Sequence, residues 1–241
     1  MKFPNVLTKL MGEVDWVSLE RKGRPVAMST TEQPEQRRKP PARVVAVLLA
    51  AGLSSRMGRP KYLLPWGRRT VLGHIVETIQ AVGMPVVVVH HQVLPKELGV
   101  DYVFNPAPER GLSGSLRLGL ERVAYRWPGA AAAVFLADQP FITADDIDFV
   151  LEGFLCREKT CHAVRPYYNG QVGHPVLLDA EAMGWTRDAQ GDAGLGPVLA
   201  SLAPECRLLR TIEGRPNPAI DIDTPEDYRL AFKLWNGGDK P

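Results

Sequence analysis

Val44-Val45-Ala46-Val47-Leu48-Leu49-Ala50-Ala51 is an unbroken apolar run that empties into Gly52-Leu53-Ser54-Ser55-Arg56-Met57-Gly58-Arg59-Pro60-Lys61. A continuous apolar strand, rather than an alternating one, is what a parallel sheet covered by helices on both faces requires. The residues that follow repeat the pattern. Thr70 caps a helix whose Leu72, Ile75, Val76, Ile79 and Val82 share one face, with Gly83 past its end. Residues 85–89 and 100–104 read as a second and third strand, and Ser113 opens a helix with Leu116, Leu120 and Val123 on its inner face. Residues 130–137 form a fourth strand that stops at Asp138, and Thr143 caps a helix whose Asp145 and Asp146 suit the positive end of its dipole.

After Cys161 the rhythm changes. Residues 163–168, the pair Asn169-Gly170 and residues 171–178 read as a β-hairpin with a type I′ turn. A short helix over residues 196–202 and a strand over 207–212 follow. Thr224-Pro225-Glu226-Asp227 is a helix start with an N-cap, a proline at the first position and acids in the first turn, and Asn236-Gly237-Gly238 ends that helix. Repeated β-α units with a late antiparallel insertion predict one Rossmann-like, three-layer α/β/α domain over residues 44–238, with a mostly parallel sheet.

Residues 1–43 differ in character and read as a flexible N-terminal extension, because residues 20–41 are charged, polar and proline-containing. The extension also carries the charge asymmetry. It holds nine Lys/Arg against five Asp/Glu, whereas residues 44–241 hold 20 against 22, so the net +2 of the chain describes no basic surface on the domain. That argues against a nucleic-acid partner unless residues 1–43 supply the surface. Three cysteines without a C-x-x-C pair favour neither a disulfide framework nor a zinc knuckle, and fit a reducing cytoplasm. The longest apolar run, residues 44–53, is half the roughly 20 residues a membrane helix needs. No secretory signal is read at the N-terminus.

In open α/β sheets ligands bind beyond the carboxyl ends of the strands. The first such end is the loop Ala50-Ala51-Gly52 to Lys61, where glycines let backbone N–H groups approach an anion and Arg56 and Lys61 add positive charge suited to a polyphosphate. It is neither a Walker loop nor G-x-G-x-x-G, and a solvated surface loop is the alternative. The fourth strand delivers Asp138 to the same edge, as a Mg²⁺ ligand or as the cap of the next turn. Asp221 and Asp223, alternate residues of an extended stretch, form a second carboxylate pair, although Asp223 also precedes a capped helix. Asn105-Pro106 and Gly111-Leu112-Ser113-Gly114-Ser115 offer N–H groups and hydroxyls before a helix. His90 and His91 are adjacent in a strand and face opposite ways, which disfavours a metal pair. His174, in Gly173-His174-Pro175, lies on the insertion where a second substrate could rest, or serves the fold there.

Residues 49–65 closely resemble the signature of nucleotidyltransferases of the molybdenum cofactor type. The likeness continues in order through Asn105-Pro106, residues 113–120, Leu136-Ala137-Asp138-Gln139-Pro140, Gly170-Gln171-Val172-Gly173-His174-Pro175, Gly191-Asp192-Ala193-Gly194 and residues 221–227. The Gly-His-Pro and Gly-Asp-x-Gly elements resemble the cytidylyltransferase branch. The resemblance implies a cytoplasmic enzyme that transfers CMP from CTP to the terminal phosphate of molybdopterin and releases pyrophosphate. It implies that Ala50, Ala51, Gly52, Ser54, Ser55, Arg56, Met57, Gly58, Lys61, Asn105 and Ser113 hold the nucleotide. Arg56, Lys61 and Asp138 would serve catalysis, with Mg²⁺ on Asp138 and on Asp221 or Asp223. Tyr167, Gly173 and His174 would face the pterin, and a molybdoenzyme or maturation factor would be the protein partner. One departure is visible: Gly114 stands between Ser113 and Ser115 where the family runs through successive serines.

The chemistry makes modest demands. A phosphate monoester with a second pKa near 6 is already largely dianionic at neutral pH, so the acceptor needs no strong base. Positioning and charge neutralisation then suffice. Three other readings compete: GTP as donor, another phosphorylated small molecule as acceptor, and a non-catalytic module that carries the cofactor.

Overall fold

The computed structural model describes residues 44–52, 57–92, 94, 98–168, 170–188, 191, 194–203, 207–212, 218 and 221–237. The proposed extension at 1–43 lies outside them. Strand β1 (Val44–Ala50) is buried along its whole length, as its composition predicts. Ala46, Leu48 and Ala50 face one hydrophobic layer while Val45, Val47 and Leu49 face the other. Each face of the strand is therefore covered, which is why it carries no polar residue.

A two-residue-per-arm hairpin, β2 (Pro65–Trp66) and β3 (Arg69–Thr70), leads into helix α1 (Val71–Ala81). Thr70 caps α1 by accepting a 3.1 Å hydrogen bond from the Gly73 amide. β4 (Val86–His90) and β5 (Asp101–Phe104) add to one side of β1 in parallel. Helix α2 (Leu112–Arg126) then returns the chain to β6 (Ala131–Leu136), parallel to β1 on its other side. Helix α3 (Ala144–Leu155) begins in a capping box between Thr143 and Asp146. The strands β7 (Ala163–Tyr168), β8 (Gln171–Val172) and β9 (Val176–Leu178) form the insertion, followed by α4 (Ala180–Trp185), α5 (Gly196–Ser201), β10 (Arg207–Ile212) and α6 (Pro225–Gly237). Among the described residues the main sheet runs β10-β7-β9-β6-β1-β4-β5, with β8 paired to β7. Only β9, with its extension β8, runs against its neighbours.

Three local expectations are corrected. Ser113 does not open α2; the helix starts at Leu112 with Gly111 as a cap that has no side-chain bond. The returning arm 171–178 is interrupted at Gly173-His174-Pro175, so that β8 pairs with the end of β7 while β9 inserts between β7 and β6. Residues 221–223 belong to no strand; the Ile222 amide ties them to the segment after β6 by donating to the Asp138 carbonyl at 3.1 Å. The short α4 and the β2–β3 hairpin are additions that residue patterns did not announce.

The close approach of α2 to the sheet depends on Gly119. A Cβ there would run into the Val47 side chain and lie 3.0 Å from Val89. α6 is held by a different device, an aromatic cluster in which Trp66 packs against Phe141, Phe232 and Trp235 at ring-centroid distances of 5.8, 5.7 and 5.3 Å. Among the described residues no helix is long and apolar enough to cross a membrane.

Candidate active site

β1 passes its chain to β4 on one side and β6 passes its chain to the far side, so a crevice opens beyond their carboxyl ends. A cleft of about 490 Å³ lies there, floored by Leu49, Ala50, Ala51, Gly52, Leu136 and Ala137. Lys61 and Tyr62, the start of α2 and the pair Asp138 and Asp223 wall it. Lys61 opens a 3₁₀ turn (Lys61–Leu63) whose Tyr62 is buried, with Leu64 buried just beyond, so the hydrophobic anchors direct the lysine to the cleft.

The Lys61 ammonium lies between two carboxylates, 2.5 Å from Asp138 Oδ2 and 3.0 Å from Asp223 Oδ1. Burial works against its charge, but Asp138 and Asp223 outweigh it and hold the ammonium above the ordinary lysine range. Asp221 completes the acidic group through Gln139, whose Nε2 donates to Asp221 Oδ1 at 2.8 Å. The residue Asp221 is exposed, yet its carboxyl sits against Gln139 and close to Asp138, and the lost hydration there, followed by the charge of Asp138, pushes it up to about 6. Geometry and crowding agree on this direction. Carboxylate oxygens are the donors a hard divalent cation takes, and Asp138 with Asp223 or Asp221 could contribute them. Among the described residues no three acidic or imidazole groups already form a metal cage.

The start of α2 contributes in an unexpected way. Gly111, Leu112 and Ser115 line the cleft, whereas Ser113, buried like Ser115, does not. Asn105 is buried and also stays out of the cleft. Its Nδ2 donates to Ser115 Oγ at 3.0 Å and its Oδ1 accepts from the Ala107 amide at 2.9 Å. Asn105 therefore braces the serine that reaches the site. The Gly114 departure from the serine run falls on the helix surface, near the Arg110 side chain.

Of the remaining expected residues, Ala50, Ala51 and Gly52 line the cleft. Met57 has its side chain in the hydrophobic layer, and Gly58 adopts a φ of 69°, a left-handed conformation that favours glycine. Ser54, Ser55 and Arg56 lie outside the described residues. Tyr167, Gly173 and His174 come together on the insertion, two strands away from β6, and do not line the cleft. Tyr62 was not among the expected binders. It lines the cleft, its hydroxyl is buried without a partner, and burial pushes its pKa up to about 12.

Residues 46–206 match the family model described as MobA-like NTP transferase domain. The chain belongs to the MobA-like NTP transferase family. It is thus a nucleotidyltransferase, with the mostly parallel α/β sheet of that family. It is 28% identical over 198 residues to the molybdenum cofactor cytidylyltransferase of Escherichia coli K12, covering 78% of this chain and 95% of the relative. It is 36% identical over 203 residues to a probable molybdenum cofactor guanylyltransferase of Bacillus mycoides KBAB4, covering 80% and 97%. Among solved structures, Rv0371c of Mycobacterium tuberculosis H37Rv superposes with a TM-score of 0.67 at 25% identity, covering 79% of this chain and 98% of the other.

Proposed function

We propose that residues 44–238 catalyse transfer of CMP from CTP to the terminal phosphate of molybdopterin, with release of pyrophosphate, and that residues 1–43 extend this domain. The observation that carries the reading is Lys61 held between Asp138 and Asp223 at the mouth of a cleft floored by Ala50, Ala51 and Gly52. Lys61 supplies positive charge where a triphosphate is cleaved, and the carboxylates hold that charge in one place so that little reorganisation accompanies reaction. Ser115, braced by Asn105 at 3.0 Å, and the N-terminal end of α2 orient the nucleotide phosphates. The acceptor phosphate attacks as a dianion and needs only to be aligned with the scissile bond. Mg²⁺, when bound by Asp138 with Asp221 or Asp223, supplies charge neutralisation of the phosphate oxygens.

The Gly173-His174-Pro175 and Gly191-Asp192-Ala193-Gly194 elements support CTP as the donor. The relative from Bacillus mycoides, named as a guanylyltransferase and 36% identical, supports GTP as the second reading. Pyrophosphate release, followed with each of CTP, GTP, ATP and UTP in the presence and absence of molybdopterin, tests both. Release that requires CTP and molybdopterin together is the expected result. Release with GTP instead establishes the second reading. Release with a different phosphorylated acceptor, or with none, overturns the proposal.

A further inference from the structure

Arg165 on β7 is half-buried on the insertion, and no anion among the described residues pairs with it. Its Nη2 donates to the Gly173 carbonyl at 3.2 Å, while its Nε is buried and has no acceptor. Among the described residues the charge that bears on it is a second cation, Arg207 of β10, and burial followed by that repulsion pushes the Arg165 guanidinium down to about 10. The register explains why they meet. Arg165 pairs with Leu209 and Arg207 with Ala163, so the two arginines are diagonal neighbours on one sheet face. Ala163 shares a hydrophobic layer with Leu49, Val134 and Leu116, which puts both arginines on the sheet face that α2 covers, the helix whose start walls the cleft. His174 stands beside them with its Nδ1 buried and unpartnered. Burial and then the charge of Arg165 push that imidazole down to about 3, so it is neutral and adds no third positive charge at neutral pH.

A half-buried guanidinium whose Nε is covered and unpaired carries a desolvation cost, and a second cation beside it raises that cost. Both features are relieved by an incoming anion, which a planar five-donor group binds well. β7 is two strands from β6, about 10 Å across the sheet at ordinary strand spacing. The arginines are therefore set apart from Asp138 and Lys61. We propose that Arg165, with Arg207 beside it, is an anion subsite that takes a second negatively charged group of the acceptor substrate, remote from the phosphate that reacts. This rests on the acceptor reading above, and it assigns the discrimination among acceptors to β7 and β10.

Two measurements on the full chain test it, using R165M and R165K. Sodium sulfate, titrated at ionic strength matched with sodium chloride, is expected to raise the melting temperature of the wild type more than that of R165M. R165K, which keeps charge but loses the planar fork, falls between them. Equal shifts in wild type and R165M overturn the subsite whatever the acceptor is. In steady-state pyrophosphate release, R165M is expected to raise the KM for molybdopterin about tenfold or more, as loss of a charged hydrogen bond does, with R165K recovering part of it. The KM for the nucleotide stays within about twofold. An acceptor KM that does not change in R165M overturns the subsite while leaving the transferase reading intact. A wild type that responds to sulfate at Arg165 but releases no pyrophosphate with molybdopterin overturns the transferase reading instead.

Discussion

Lys61 Nζ lies 2.5 Å from Asp138 Oδ2, joining a turn that follows β1 to the end of β6. The two residues are 77 positions apart in the chain, and the parallel pairing of β1 with β6 brings their strand ends side by side. The charge pair is three-quarters or more shielded from water, with 17% of each side chain exposed. Removing either partner leaves the other poorly compensated.

Lys61→Ala is therefore expected to lower the rate of pyrophosphate release by about 10²–10³-fold, the cost of losing one preorganised charge at a developing phosphate. Asp138→Asn is expected to do likewise. Circular dichroism should show both folded. Near-wild-type turnover in either variant would remove the pair from the mechanism.

Asp221 titrates in the wrong direction for stability. Its carboxyl is raised from 3.8 to about 6, so the native protein holds this proton more tightly than the unfolded chain does. Its contribution is fully favourable below pH 3.8 and is lost as pH climbs through about 6. Asp221→Asn, which can still accept from Gln139, is expected to melt higher than the wild type at pH 7.5, with the difference shrinking towards pH 4. A difference independent of pH would contradict the crowding of Asp221 with Asp138 and Asp223.

Gly119→Ala sets two effects against each other. Alanine gains about 1 kcal/mol of helix propensity over glycine. The added methyl, however, would overlap Val47 in the sheet, and overpacking of that kind costs about 1–3 kcal/mol. Net destabilisation in urea unfolding is expected, because the clash is with a rigid β-branched side chain rather than a flexible tip.

Tyr62→Phe removes a buried hydroxyl that has no hydrogen-bond partner. The free protein is expected to be as stable or more stable by up to about 1 kcal/mol, since an unsatisfied polar group is replaced by an apolar one of the same shape. A loss above that size would show that the hydroxyl has a partner in solution.

Much of this was legible from residue order because the relevant forces are local. The fully apolar run at Val44 could only be a strand covered on both faces, and Thr70, Thr143 and Thr224 announced their helices through bonds made within three or four residues. The nucleotide loop and Asp138 could be placed at strand ends for the same reason. Gln139 stood in plain view next to Asp138, but nothing local indicates that it reaches Asp221, 82 positions away. Ser115 and Ser113 were equivalent as sequence. Both are buried, and only the packing of α2 on the sheet decided that Ser115 lines the cleft and Ser113 does not.

By itself, then, the order of residues determined the strands, the helix starts and the identity of the groups able to neutralise phosphate, because hydrophobic periodicity and capping act over a few residues. Tertiary structure alone decided which of those groups meet. The Lys61 bridge, the crowding that lifts Asp221 and the meeting of Arg165 with Arg207 all arise between segments distant in sequence. Charge interactions depend on separation in space, which the register of β1, β6, β7 and β10 sets and which no local pattern encodes.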